Sequence, residues 1–252
     1  MVVISVPRSK HRPFEPDLEK ETNMEVSARK LILQTAVMFA AFALALFLPA
    51  GTMSWPEGWV FLALFFGFTI ALGMWLLKHN PELLKERMSG VIRPEQKPWD
   101  KALITVTGGL FFVWLVLMPL DAVRFGWSHH LPIWQQAVGA VILLVSFAVF
   151  FLTFKENPYL SAVVRFQEDR GHTVVSTGPY HCVRHPMYSG FILFVVGTAL
   201  LLGSWFGLLF GLVLIVMVTV RAVFEERMLK NELRGYGDYM AAVKYRLIPH
   251  VW

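Results

Sequence analysis

Apolar and polar stretches alternate along this chain in blocks of about twenty residues, the length at which a helix crosses a hydrocarbon core of about 30 Å. Leu31 to Ala50 is the first apolar block, closed by Pro49 and Gly51, and Gly58 to Leu77 is the second. Trp55, Pro56 and Trp59 suit an interfacial turn between them, so the two blocks read as a helical hairpin. Ala102 to Leu120 and Ile133 to Phe154 follow as the third and fourth. The last run, Phe191 to Val220, would make a single helix of about 45 Å, too long for one crossing. Gly203-Ser204, beside Trp205, is the natural break, giving a fifth and a sixth span in a tight hairpin. The pattern predicts an all-α, polytopic integral membrane protein of about six transmembrane helices.

Between the apolar blocks lie polar segments of distinct character. Residues 1–30 read as a flexible cytoplasmic N-terminal arm, with Pro7, Pro13 and Pro16 and no helical periodicity before about Leu18. The arm has neither the short apolar region nor the small-residue cleavage site of a secretory signal. Lys78 to Lys101 is a connector in which Pro81 to Arg87 has the spacing of a short amphipathic helix along the headgroups or, equally, of a surface loop. A long polar segment runs from Lys155 to about Tyr180, and a polar tail from Arg221 to Trp252. The chain thus divides into an arm at 1–30, a four-helix membrane region at 31–154 and a C-terminal core at 155–252.

Composition excludes the ordinary soluble classes: 56% of the residues are hydrophobic, and mean hydropathy is +0.53. The net charge of +5 would suggest nucleic acid if it were clustered. Instead, basic residues recur in the arm, in the connector after the second span, in the segment after the fourth and in the tail, while the loops on the other side carry only Arg124. That asymmetry is the positive-inside pattern, placing both termini in the cytoplasm and pointing to an anionic leaflet rather than nucleic acid as partner. Cys182 is the only cysteine, which excludes an internal disulfide and suits a small apolar filler better than a nucleophile. His129-His130 is no metal site, because adjacent helical residues point about 100° apart and no carboxylate accompanies them. Phosphate-binding loops, dinucleotide fingerprints and zinc motifs do not occur.

The chemistry concentrates where the fifth span begins and the sixth ends, two points that a hairpin brings together. Thr177 to Gly190 sets Tyr180, Arg184, His185 and Tyr188 around Pro186 directly in front of an apolar helix. An ionisable cluster at that depth is a functional-site hypothesis. Arg221 and Glu225, four residues apart, share one helix face and either pair with each other or serve a ligand.

These residues carry a resemblance. Gly178-x-Tyr180-x-x-x-Arg184-His185-Pro186-x-Tyr188-x-Gly190, the apolar hairpin, Arg221-x-x-x-Glu225-Glu226, Gly235-Tyr236-Gly237-Asp238-Tyr239 and Arg246-Leu247-Ile248-Pro249 look like the isoprenylcysteine carboxyl methyltransferase family and its phospholipid methyltransferase relatives. The likeness covers about the last ninety residues and implies an integral-membrane methyltransferase using S-adenosylmethionine and a lipid-like or prenylated acceptor. It implies cofactor contacts from Gln167, His172, Thr173, Val174, Val175, Tyr180, His185, Pro186, Met187, Tyr188 and Glu225, with Arg221 and Glu225 catalytic and Arg221 holding the substrate. No metal is implied. An ionised carboxylate acceptor would need no general base, whereas an amine of a phospholipid headgroup would give Glu226 or His185 that role. Two other readings remain. Tyr245-Arg246-Leu247-Ile248-Pro249-His250 resembles the ending of longer, NADPH-using membrane sterol reductases, and a transporter or scaffold would need no chemistry.

Overall fold

A computed structural model describes residues 16–90, 92, 96–128, 131–164 and 173–252, with side chains described from Ala28 onward. Its regular elements are helical: α1 (Pro16–Ala50), α2 (Pro56–His79), α3 (Pro81–Met88), α4 (Pro98–Pro119), α5 (Ile133–Glu156), α6 (Pro186–Leu201), α7 (Trp205–Glu232) and α8 (Tyr236–Ala242). A π-helical turn, Leu120–Phe125, extends α4, and a 3-10 turn, Gly178–His181, precedes α6. No strand occurs among the described residues.

Five helices are long and apolar enough to cross a membrane: the Ala28–Ala50 part of α1, α2, α4 with its π-helical turn, α5 and α7. The expected break in the last apolar run falls where the sequence puts it, at Leu202 to Ser204. However, α6 has only 16 residues, about 24 Å, short of a full crossing by itself. Two helices run on past the apolar blocks into polar sequence. The second half of the arm belongs to α1 from Pro16 on, and the start of the tail belongs to α7 as far as Glu232. The flexibility expected of residues 1–15 lies outside the described residues, as do His129 and His130.

Local chemistry marks the helix ends. Asn80 closes α2 and opens α3, its side chain accepting from Leu83 N at 3.1 Å with Pro81 in the first turn. The connector's Pro81–Arg87 stretch is therefore helical, seated through buried Leu83 and Leu84 against Leu76 and Phe154. Ser204 caps α7 by accepting from Gly207 N at 2.8 Å. The Ser204 hydroxyl itself donates to buried Asp121 of the π-helical turn, which also accepts from Ser128 Oγ and Phe206 N. These bonds, with Arg124 lying against Gly51, gather the α1–α2, α4–α5 and α6–α7 turns at one end of the bundle. The described parts of the connector, residues 157–164 and 173–185, and the tail share the other end.

Aromatic packing fills the interior. The rings of Phe61, Phe65, Phe111, Trp114 and Phe147 surround Phe194 at centroid distances of 5.8–6.5 Å. Helices α5 and α6 run antiparallel in close contact through Gly139 and Gly197. A Cβ at Gly197 would stand 2.6 Å from Leu143 N and one at Gly139 2.4 Å from Leu201 N, so only glycine permits this spacing. Ser146 Oγ donates to Gly190 O at 2.8 Å across the same seam. Large apolar side chains such as Leu33, Leu48, Val141 and Leu209 face outward, as a lipid-facing surface requires.

Candidate active site

One cavity of about 510 Å3 opens at the basic end of the bundle. The sequence-expected residues Thr173 to Val175, Tyr180, His185 to Tyr188, Arg221 and Glu225 all line it. Gln167 and His172 lie outside the described residues. The cavity wall changes character along its length: Asn157, Tyr180, Tyr236 and Tyr239 at one part, Phe65, Phe68, Leu72, Phe147 and Phe150 at another.

Glu226 holds the architecture. Buried in α7, it receives Arg184 Nε at 2.6 Å on Oε1 and Arg246 Nε at 2.7 Å on Oε2, with His185 Nε2 3.3 Å from Oε1. One carboxylate thereby fixes the segment before α6 and the tail to α7. Arg184 also donates through Nη1 to the carbonyls of Val243 and Lys244. Arg184 N and His185 N donate to the carbonyls of Tyr245 and Arg246, both at 2.9 Å. The motif's Arg184, Glu226 and Arg246 thus form a clamp at the cavity wall, with Arg184 part of the lining, and Glu226 is not available as a general base.

Glu225, the next residue, points elsewhere. Half-buried, it accepts from Tyr188 OH at 2.6 Å through Oε2, while Oε1 has no hydrogen bond among the described residues. Tyr188 stacks on His185 at a centroid distance of 5.5 Å. Tyr180 is held by Asn157 Nδ2, 2.7 Å from its phenol oxygen, and by Tyr239 OH donating to its carbonyl at 2.7 Å. Burial pushes the Tyr180 phenol up, so it stays protonated at neutral pH. Gly178, at φ +56, starts this turn where any Cβ would strike Glu156.

Arg221 does not pair with Glu225, the simpler of the two arrangements that the spacing allowed. Its Nε donates to Asp100 Oδ1 at 2.7 Å, and its Nη2 to Ala162 O at 2.9 Å. Asp100, fully buried at the start of α4, also accepts from Gln96 Nε2 at 2.7 Å and Val164 N at 2.8 Å. The guanidinium edge expected to grip a carboxylate bidentately is therefore occupied, and only Nη1 lacks a bond among the described residues. Sequence reasoning missed Asp100, and no local signal marks it. It also missed Asn157, whose position one residue beyond α5 is the only hint. Cys182, expected as a filler, is exposed.

A helical membrane protein with a carboxylate, phenols and a buried guanidinium around one cavity is the class of structure that the fold and site define. Residues 134–235 match the family model described as Phospholipid methyltransferase. Protein-S-isoprenylcysteine O-methyltransferase of Schizosaccharomyces pombe is 40% identical over 79 residues, 31% of this chain and 32% of that protein. Protein-S-isoprenylcysteine O-methyltransferase B of Arabidopsis thaliana is 31% identical over 83 residues, 32% of this chain and 42% of that protein. The chain thus matches less than half the length of these curated relatives. Over this stretch the resemblance to the isoprenylcysteine carboxyl methyltransferases is borne out.

Proposed function

We propose that this chain is an S-adenosylmethionine-dependent methyltransferase of the membrane, acting on the carboxylate of a lipid-borne acceptor of the S-prenylcysteine type. The observation that carries the proposal is a cavity of about 510 Å3 lined by Glu225, Tyr180 and Tyr188, which fall within the matched stretch, and by a phenylalanine-rich wall drawn from α2 as well as α5. The residues present suit the cofactor. Glu225 Oε1, without a hydrogen bond among the described residues, would pair with its ammonium, and the Tyr180 and Tyr188 faces would lie against a cation. S-adenosylmethionine supplies, when bound, a methyl group activated by a sulfonium.

The chain's own contribution is positioning and exclusion of water. A carboxylate acceptor is ionised at neutral pH and calls for no proton transfer, which fits a site whose Glu226 is engaged by three cationic or imidazole groups. The rigid clamp at the wall holds Tyr188 and Glu225 in fixed relation, the arrangement from which effective molarity comes. The phenylalanine-lined part would accept a prenyl chain by burial of apolar surface, at about 25 cal/mol per Å2.

Calorimetric titration of the detergent-purified protein with S-adenosylhomocysteine tests the cofactor part. Binding is expected for the native chain, with a loss of about tenfold or more in Glu225→Gln. Labelled methyl transfer to S-farnesyl-N-acetylcysteine, run beside phosphatidylethanolamine, tests the acceptor. Transfer only to the ethanolamine headgroup would replace the carboxylate with an amine, and absence of S-adenosylhomocysteine binding would end the proposal.

A further inference from the structure

Of the three guanidiniums that line the cavity, Arg87 alone forms no ion pair among the described residues. Arg221 is ion-paired with Asp100, while Arg184 and Arg246 share Glu226. Arg87 projects from α3 into the same cavity, half-buried, with its Cζ 4.9 Å from the centroid of the Phe154 ring. Among the described residues it makes no hydrogen bond and no ion pair. Its neighbour in sequence, Glu86, is turned to Ser161, whose hydroxyl donates to Glu86 Oε1 at 2.7 Å. Burial first, and the charge of Arg221 second, pull the Arg87 pKa down to about 10, which leaves it a cation at neutral pH. A partly buried cation without an ion pair is costly, and an anion that joins it recovers part of that cost.

Its place in the cavity narrows what the anion is. Arg87 stands on the α3 side, where Leu83, Leu84 and Phe154 cluster with Leu160 and Met187. The phenols of Tyr180, Tyr236 and Tyr239 form a separate cluster packed around α8. Arg87 and Arg221 are close enough for their charges to repel, and Tyr188 lies near both. Arg221 has Asp100 as its partner, and Glu225, bonded to the Tyr188 phenol, is the carboxylate assigned to the cofactor's ammonium, which leaves Arg87 as the cavity guanidinium with a place for a further negative charge.

We propose that Arg87 holds the carboxylate of the methyl acceptor, with its guanidinium fork presented where that of Arg221 is already tied to Asp100 and Ala162. The inference rests on the methyl-transfer reading and deepens it by naming a substrate-binding residue outside the matched stretch, on the helix between the second and third spans. A carboxylate also exists on the methionine end of the cofactor, and the experiment separates the two sources.

Native protein, Arg87→Gln and Arg87→Lys are titrated with S-adenosylhomocysteine. Each is then titrated, saturated with that compound, with S-farnesyl-N-acetylcysteine and with its neutral carboxamide. Arg87→Gln is expected to bind S-adenosylhomocysteine within about twofold of native and the acid about tenfold more weakly, with the carboxamide unchanged. Arg87→Lys keeps the charge and falls between the two, which separates loss of the anion seat from loss of the fold. Unchanged acid binding in Arg87→Gln overturns the assignment, as does a native protein that treats acid and carboxamide alike. A tenfold loss of S-adenosylhomocysteine binding in Arg87→Gln also overturns it, by giving the carboxylate to the cofactor. If native protein binds no S-adenosylhomocysteine, the methyl-transfer reading fails and Arg87's role falls with it.

Discussion

Glu225 and Glu226 sit side by side and are asked to do opposite things. Glu225 keeps one oxygen toward the cavity, while Glu226 is enclosed by Arg184, His185 and Arg246. Glu226→Gln leaves buried Arg184 and half-buried Arg246 without their counter-charge, a loss of about 3–5 kcal/mol where a buried pair is broken. The expected result is a lowered unfolding midpoint and a tail newly open to limited proteolysis. Glu225→Gln should keep the native midpoint and lose only ligand binding. If both variants lose stability equally, the division between clamp and ligand contact is wrong. The motif residues were legible in the sequence because each has a fixed spacing to the next. The pairing of Arg221 with Asp100 was not, since the two are 121 positions apart and nothing in either neighbourhood records the other.

At the scale of elements, the apolar blocks foretold the long helices and the break before Trp205. Hydropathy then misjudged where the helices end. Arg221 to Glu232 looks polar, yet it is made of good helix formers, and a helix leaving the apolar layer loses its hydropathic signal before it loses its backbone bonds. The π-helical turn at Leu120–Phe125 was equally hidden, because its stabilisation comes from Asp121 meeting Ser128 and Ser204 across the bundle. The α5–α6 seam gives a test at this scale. Gly197→Ala puts a methyl group against backbone atoms of Leu143 and Gly139 and should cost about 1–3 kcal/mol. Gly109→Ala on α4, with nothing within 4 Å, should stabilise by about 0.5–1 kcal/mol. Reversible unfolding in mixed micelles compares the two, and equal effects would mean that the seam is not tightly packed in solution.

For the molecule as a whole, the two ends of the bundle differ in charge as the sequence suggested, and the side facing the cytoplasm is read from that bias. In a Cys182→Ser background, single cysteines at Lys30 and Lys244 should be labelled by an impermeant maleimide only after intact cells are opened. One at Met53, exposed in the α1–α2 turn, should be labelled from outside. The reverse pattern would invert the orientation.

The bridges from residues 184 and 185 to 245 and 246 also govern when the cavity wall is complete. A ribosome that has delivered every long helix to the bilayer has still not made the arginine that closes the clamp. Until position 246 clears the exit tunnel, the nascent chain is an inserted bundle with an open wall. Closure of the wall therefore follows membrane entry, because the arginine that completes the clamp is encoded after every long helix.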